Sequence, residues 1–292
     1  MMIRYAALAL ALVLAAAAPA AAKSPPKEPG LTAAAVSEIR RAIDEQRLLD
    51  AGRMVDQAML AGVKDPRLSL LGGDLNLARK RYNVALTSYR MAEASIETHA
   101  QSLQGQGLAL ALLGRSAEAL ATLKRAVAQD PDAWRAWNAL GAEHDARGDW
   151  AAAEAAYAQA MTRSAGAPQV LNNRGYSRLL QRRRDEAVAD LVAALQKKPD
   201  LAEARTNLRL ALAMGGDYER AVSGASMDDR AALFNNAGFA AGMRGDYVKA
   251  EELLNQALKV KTEYYARASE NLKIVRALAA QDRSEPAGNA VP

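Results

Sequence analysis

Two histidines, His99 and His144, are the only imidazoles in the chain, and no Ser/His/Asp grouping is suggested by the spacing around either. An imidazole that titrates near neutrality is the commonest general acid or base. His144, however, occupies a packing position and reads as a core or groove residue. The chain has no cysteine, which removes disulfides, cysteine-containing metal sites and a cysteine nucleophile. Gly105-x-Gly107 is not followed by the third glycine of a dinucleotide fingerprint, and Gly215-Gly216 lacks the lysine of a phosphate loop. Carboxylates such as Glu251 and Glu252 read as helix-surface charges. The expectation is a chain without catalytic residues, metal or cofactor, and not an enzyme.

One charged feature stands out. Arg174, Arg178 and Arg182 follow one another at intervals of four and so share a helix face, and Arg183 and Arg184 extend the run. Arg174 stands where Leu140 stands one period earlier. The run has two readings. It is either a solvated ridge whose aliphatic stems cover apolar neighbours, or a docking patch for an acidic partner or membrane headgroups.

The elements that position these residues are helical. Half of the 292 residues are hydrophobic but only 5% are aromatic, and alanine is abundant throughout. Alanine is the best helix former, and alternating Val, Ile and Thr runs are scarce. The net charge of +5 is small for this length and lacks the concentrated stripe of a nucleic-acid binder.

The chain opens with Met1 to Arg4, then a nearly pure apolar run from Tyr5 to Ala18 and the small-x-small pattern Ala20-Ala21-Ala22. This is the pattern of a cleaved export signal over residues 1–22. The apolar run is shorter than the ~20 residues a membrane span needs, and Pro19 ends it. Cleavage would remove Arg4 and leave a net charge of +4. No lipid-bearing cysteine follows, and no later stretch is long and apolar enough to span a membrane. The expected location is the periplasm, in soluble form. Residues 23–32, with Pro25, Pro26, Pro29 and Gly30, read as a linker, and 284–292 as a disordered tail.

Between them lies an internal period. Gly73, Gly107, Gly141 and Gly175 lie 34 residues apart. Ala85, Ala119, Ala153, Ala187 and Ala221 share that interval, as do Ala92, Ala126, Ala160 and Ala194. Tyr89, Leu123, Tyr157 and Leu191 form a fourth column, and Pro131 and Pro199 close their units. Small residues let helices cross closely, larger ones fill the flanking grooves, and Gly114, Gly148, Gly216 and Gly245 suit the turns. The unit Trp137-Asn138-Ala139-Leu140-Gly141, Gly148-Asp149-Trp150, Ala153, Tyr157, Ala160 resembles the tetratricopeptide (TPR) pattern, with His144 where tyrosine is usual.

That resemblance implies an all-α, right-handed superhelical solenoid of antiparallel helix pairs over residues 33–283, six to seven pairs and a cap. Pairs are expected at 66–98, 100–130, 134–163, 168–197, 201–226 and 231–261. The fifth has Arg209 in its glycine column and a short interval to the next unit, so its second helix is expected to be short or irregular. An earlier pair at 33–62 has two registers: Ala51 and Ala58 fit one alignment, Gly52 as the turn fits another. A lone amphipathic helix from Glu263 to Gln281 caps the stack, with Ala268, Leu272, Val275 and Leu278 on one face.

The resemblance also implies a partner-binding inner face made by the first helix of each pair. The positions carried over are Arg135, Asn138, Gln169, Asn172 and Tyr176, then Thr206, Leu210, Asn235 and Phe239. The asparagines read as grips for an extended peptide backbone, with Tyr176, Leu210 and Phe239 as apolar pockets between them. The lysine–asparagine carboxylate clamp of chaperone-binding TPR domains is not recognisable.

Residues 170–280 are similar to one family in particular. Asn172-Asn173-Arg174-Gly175-Tyr176-Ser177, Arg184-Asp185-Glu186-Ala187 and Arg205-Thr206-Asn207-Leu208 resemble TadD-type proteins of tight-adherence (Flp) pilus assembly. Asn235-Asn236-Ala237-Gly238 with Gly245-Asp246-Tyr247 extends the likeness. It implies a cell-envelope factor with protein partners such as the secretin or pilus-assembly components, and no nucleic acid. Many members of that family are lipoproteins, which this chain without cysteine departs from. A general periplasmic TPR scaffold for another envelope complex is the alternative.

Overall fold

The 34-residue columns become helix–helix contacts in the computed structural model, which describes residues 30–224, 226–260 and 265–284. Seven antiparallel pairs follow in order: α1 (Ala33–Asp44) with α2 (Leu48–Leu60), α3 (Pro66–Ala78) with α4 (Tyr82–Glu93), and α5 (His99–Leu112) with α6 (Ser116–Gln129). Then come α7 (Trp134–Asp145) with α8 (Trp150–Arg163), α9 (Pro168–Leu180) with α10 (Arg184–Lys197), and α11 (Ala202–Met214) with α12 (Tyr218–Val222). The stack ends with α13 (Met227–Met243), α14 (Tyr247–Val260) and the cap α15 (Ala266–Ser284). The described residues form no strand. Each helix packs on its partner and on the next pair, and the first helices also meet one another along the stack. The result is a right-handed solenoid with the odd-numbered helices inside.

The glycine and aromatic columns turn out to be two halves of one contact. Gly73 lies against Tyr89, Gly107 against Leu123, Gly141 against Tyr157, Gly175 against Leu191 and Gly238 against Leu254. In every case the large residue follows sixteen positions after the glycine. A Cβ on Gly141 would stand 2.6 Å from the Tyr157 ring, so only hydrogen fits there. Ala85, Ala119, Ala153 and Ala187 are fully buried beside these crossings, as are Ala92, Ala126, Ala160 and Ala194. The two phenols end in polar partners: Tyr89 donates to Asp74 and Tyr157 to Asp145, each at 2.8 Å.

The turns form a column of their own. Gly114, Gly148 and Gly216 take positive φ of 72°, 70° and 86°. At the same 34-residue interval stand Gln46, Lys80 and Arg182, at φ 60°, 59° and 61°. This fixes the register of the first pair. Gln46 is its turn, Ala51 is the buried column alanine, and Gly52 lies buried within α2. A side chain in the left-handed region costs about 1 kcal/mol that glycine avoids. Arg182→Gly is therefore expected to raise stability by about 0.5–1 kcal/mol, read as a higher Tm in thermal melts. An unchanged or lower Tm would mean that the arginine side chain repays its backbone strain.

The irregular pair expected at 201–226, sixth in the stack, has a physical cause. Its second helix, α12, is only five residues long, so no helix crosses where Arg209 replaces the column glycine. The guanidinium of Arg209 instead donates to the Ser223 carbonyl at 3.1 Å. Tyr218 anchors the short helix by donating to Asp246; burial and that hydrogen bond push its hydroxyl up to about 12.

Some expected boundaries shift. The seventh pair starts at Met227 rather than 231, and the cap runs three residues past 281, so Ser284 belongs to it. On the cap, Ala268, Leu272 and Val275 are buried as expected; Ala279 is buried next to a half-buried Leu278. Leu31 and Thr32, expected in the linker, belong to the stack: Leu31 is buried, its N–H donates to the Asp65 carboxylate and its carbonyl accepts from the Arg67 guanidinium, while Thr32 caps α1. The expected export signal, the expected linker up to residue 29 and the expected tail from 285 lie outside the described residues.

Candidate partner-binding surface

The inner face is laid out by α7, α9, α11, α13 and α15, and the asparagines expected as peptide grips are Asn138, Asn172 and Asn235 on α7, α9 and α13. The structure gives several of them another task. Asn173 donates its amide to Asn138 at 3.2 Å, Asn207 to Asn172 at 2.9 Å, and Asn271 to Asn235 at 2.9 Å. Each bond joins the first helix of one pair to the first helix of the next, or to the cap. Within a helix, Asn172 donates to Asn173 and Asn235 to Asn236. Asn235 is 1% exposed and is a buried strut, which removes it from the binding surface. Asn172 is 8% exposed and keeps an edge at the surface. The sequence signal was available: Asn138 and Asn172 are 34 apart, as are Asn173 and Asn207, and Asn172-Asn173 and Asn235-Asn236 are doublets.

Between α9 and α11 the face carries a shallow cleft of 410 Å³ that brings together Asn172, Tyr176 and Thr206, with Asn173 and Asn207 beside them. Tyr176 is 43% exposed there. Three of the expected residues thus share one site. Leu210 and Phe239 belong to a second, larger cavity of 970 Å³ that spans the ends of α9, α11 and α13. The ladder of inter-helix asparagine bonds skips the α11–α13 step, where Thr206 takes the asparagine position and turns its hydroxyl to the Ala202 carbonyl. Arg135 and Gln169 are exposed and lie outside both clefts; Arg135 stacks 4.5 Å above the Trp134 ring.

The basic run divides. Arg174 and Arg178 are not a docking ridge. Both bond Asp190, which is 5% exposed: Arg174 through Nε at 2.8 Å and a terminal nitrogen at 2.6 Å, Arg178 at 2.8 Å. Arg178 also donates to Glu154 at 2.8 Å, and Arg183 bonds Glu154 and Glu186. Burial of Glu154 opposes its ionisation, but Arg178, Arg183 and Arg174 outweigh it and hold its carboxyl below the ordinary glutamate range. Here the apolar contact that Leu140 and Ala156 make one period earlier is replaced by an ion pair. The arginines had to go inward, because the charge they need lies on the facing helix. Only Arg182 and Arg184 keep exposed heads, and both line the large cavity.

Neither histidine joins a site. His99 Nδ1 lies 3.0 Å from the Glu93 carbonyl at the end of α4, and His144 Nδ1 lies 3.3 Å from Asp149. Among the described residues no group of three or more His, Asp or Glu could hold a metal ion, and no helix is long and apolar enough to cross a membrane.

No family model matches the sequence, and no curated protein does. Solved structures do match. The chain superposes on one from the APC/C hetero-tetramer Cut9-Hcn1 with a TM-score of 0.62 at 16% identity over 82% of its length, and spans about half (48%) of that chain. A tetratricopeptide repeat protein from Parabacteroides merdae gives 0.52 at 15% identity, over 83% of this chain and 98% of that one. A thermophilic TPR protein from Thermus thermophilus gives 0.55 at 20% identity, over 61% and 97%. The fold is a tetratricopeptide-repeat solenoid. At such identities the likeness carries the TPR architecture and leaves the partner open. What distinguishes this TPR stack is a polar cleft and a larger cavity on its first helices, and a buried Arg–Asp–Arg cluster joining α9 to α10.

Proposed function

We propose that the chain is a periplasmic TPR adaptor that holds partner proteins on its inner face, in assembly of a Flp/tad-type pilus or its secretion machinery. The observation that carries the adaptor reading is the pair of neighbouring recesses on the first helices. One is lined by amides, the Tyr176 and Thr206 hydroxyls and the Glu203 carboxylate, the other by exposed Met and Phe side chains beside a half-buried Leu210. A row of such recesses suits a chain laid along the groove, with polar and apolar contacts in sequence. The pilus assignment rests on the resemblance of residues 170–280 to TadD-type proteins, and the periplasmic location on the amino-terminal pattern.

In-cell crosslinking followed by pull-down of the exported chain tests this. Recovery of secretin or pilus-assembly subunits is the expected result; recovery of envelope-synthesis proteins instead would transfer the adaptor to another complex. For the groove, Asn172→Ala combined with Tyr176→Ala is expected to weaken partner capture about tenfold or more without loss of helicity. Undiminished capture would take the polar cleft out of the binding surface.

A further inference from the structure

The 970 Å³ cavity joins two features that the sequence presented separately, the basic run and the apolar positions of the inner face. Its floor is formed by Leu210, Met214, Phe239 and Met243. Three of these are conspicuously open: Met214 at 38%, Phe239 at 37% and Met243 at 65% exposure. Unbranched methionines around an aromatic ring make an adaptable apolar surface. The backbone groups of α9, α11 and α13 are bonded within their helices, so a ligand here meets side chains and finds no strand edge.

The rim is basic. The cavity wall carries Arg182, Arg183, Arg184 and Arg244 with Asp185 and Glu186, and Glu154 and Asp246 reach two of these arginines from outside the wall. Arg183 is held by Glu154 and Glu186, Arg184 by Asp185, and Arg244 by Asp246. Arg182 has no carboxylate partner among the described residues. It also sits at the strained turn position where the neighbouring pairs have Gly148 and Gly216. Lys80 and Gln46 share that strain, so the backbone alone assigns nothing. Arg182 is set apart by its place in the cavity wall. The amide nitrogen of Asn236, whose oxygen already accepts from Asn235, supplies a free donor in the same wall.

We propose that this cavity binds an acidic amphipathic segment of a partner protein. Its large apolar side chains seat on Phe239, Met214 and Met243, and a carboxylate pairs with Arg182. The proposal rests on the adaptor reading above and names the partner chemistry at one end of the groove. Charge complementarity selects the occupant. A neutral apolar segment would leave Arg182 without a carboxylate, and a basic one would meet repulsion from it.

The test uses the full chain and a fluorescent amphipathic peptide with leucine and phenylalanine at helical i, i+3, i+4 and i+7 positions and glutamate elsewhere. The control is the same peptide with lysine for glutamate. The glutamate peptide is expected to bind more tightly by anisotropy. Phe239→Ala with Met243→Ala should weaken it about tenfold or more. Arg182→Glu should weaken the glutamate peptide and strengthen the lysine one. All three side chains are exposed, so circular dichroism should be unchanged. Equal binding of the two peptides overturns the proposal. So does binding that survives the Phe239/Met243 change but is lost with Asn172→Ala and Tyr176→Ala, which would leave the groove reading intact. Binding insensitive to both pairs overturns both. Preferential capture by phosphatidylglycerol vesicles, with the same dependence on Phe239 and Met243, would make the cavity a lipid site and overturn the peptide assignment.

Discussion

Asp190→Ala is expected to destabilise the solenoid by about 3–5 kcal/mol, the usual consequence of removing one member of a buried charge cluster. Asp190 is 5% exposed, and the Arg174 and Arg178 side chains that bond it are 18% and 12% exposed. Without the carboxylate, two guanidiniums remain in a low-dielectric pocket with one acceptor, Glu154, which Arg183 already shares. Urea denaturation followed by circular dichroism measures the loss. Adding Arg174→Leu and Arg178→Met to Asp190→Ala restores the apolar contact seen one period earlier and should recover most of it, since well-packed apolar replacements of buried ion pairs are often neutral or better. A small loss for Asp190→Ala alone would mean that water reaches the arginines.

The same cluster makes stability depend on acid. The carboxyl of Glu154 titrates below its ordinary value of about 4.3 in the folded chain. A depressed folded value means that the contribution is complete above the unfolded value and fades as pH falls through the folded one. Glu154→Gln should therefore flatten the acid limb of the stability profile. An unchanged limb would assign acid lability to other carboxylates.

The second large effect concerns the helix crossings. Gly141→Leu should cost about 3 kcal/mol or more, because even a Cβ there would stand 2.6 Å from the Tyr157 ring, itself 1% exposed. The gain of ~1 kcal/mol in helix propensity over glycine does not offset such a clash. Tyr157→Ala alone should cost about 3–5 kcal/mol through the cavity it leaves. Combined, the new leucine refills the vacated space, so the double variant is expected to be more stable than the sum of the singles. Additive losses would show that the two residues do not share one contact.

The contrast between these two sites shows how far the sequence could be read. Gly141 and Tyr157 were legible because a repeat imposes the same steric problem every 34 residues, and the same small and large residues solve it each time. Arg174 was misread as surface because a repeat unit specifies position, and an arginine at a leucine position is explained only by what faces it. The clue was present: Arg174 and Asp190 stand one residue before Gly175 and Leu191, a pair already in contact. Asn235 failed differently. Its column marks the inner side of the helix, but whether a residue there faces solvent or the next helix depends on a rotation that periodicity does not set.

Composition and spacing alone determined the all-helical pairing, the turns at Gly114, Gly148, Gly216 and Gly245, the close crossings and the short second helix of the pair at 201–226. These follow from local backbone preference and from steric fit between residues at a constant separation, which a linear pattern records. Tertiary structure decided the register of the first pair, the inward fate of Arg174 and Arg178, and the meeting of Arg182 with Phe239 in one cavity. Those depend on which side chains confront each other across neighbouring pairs. Electrostatic pairing and burial are set by distances in space, and residues far apart in the chain supply them.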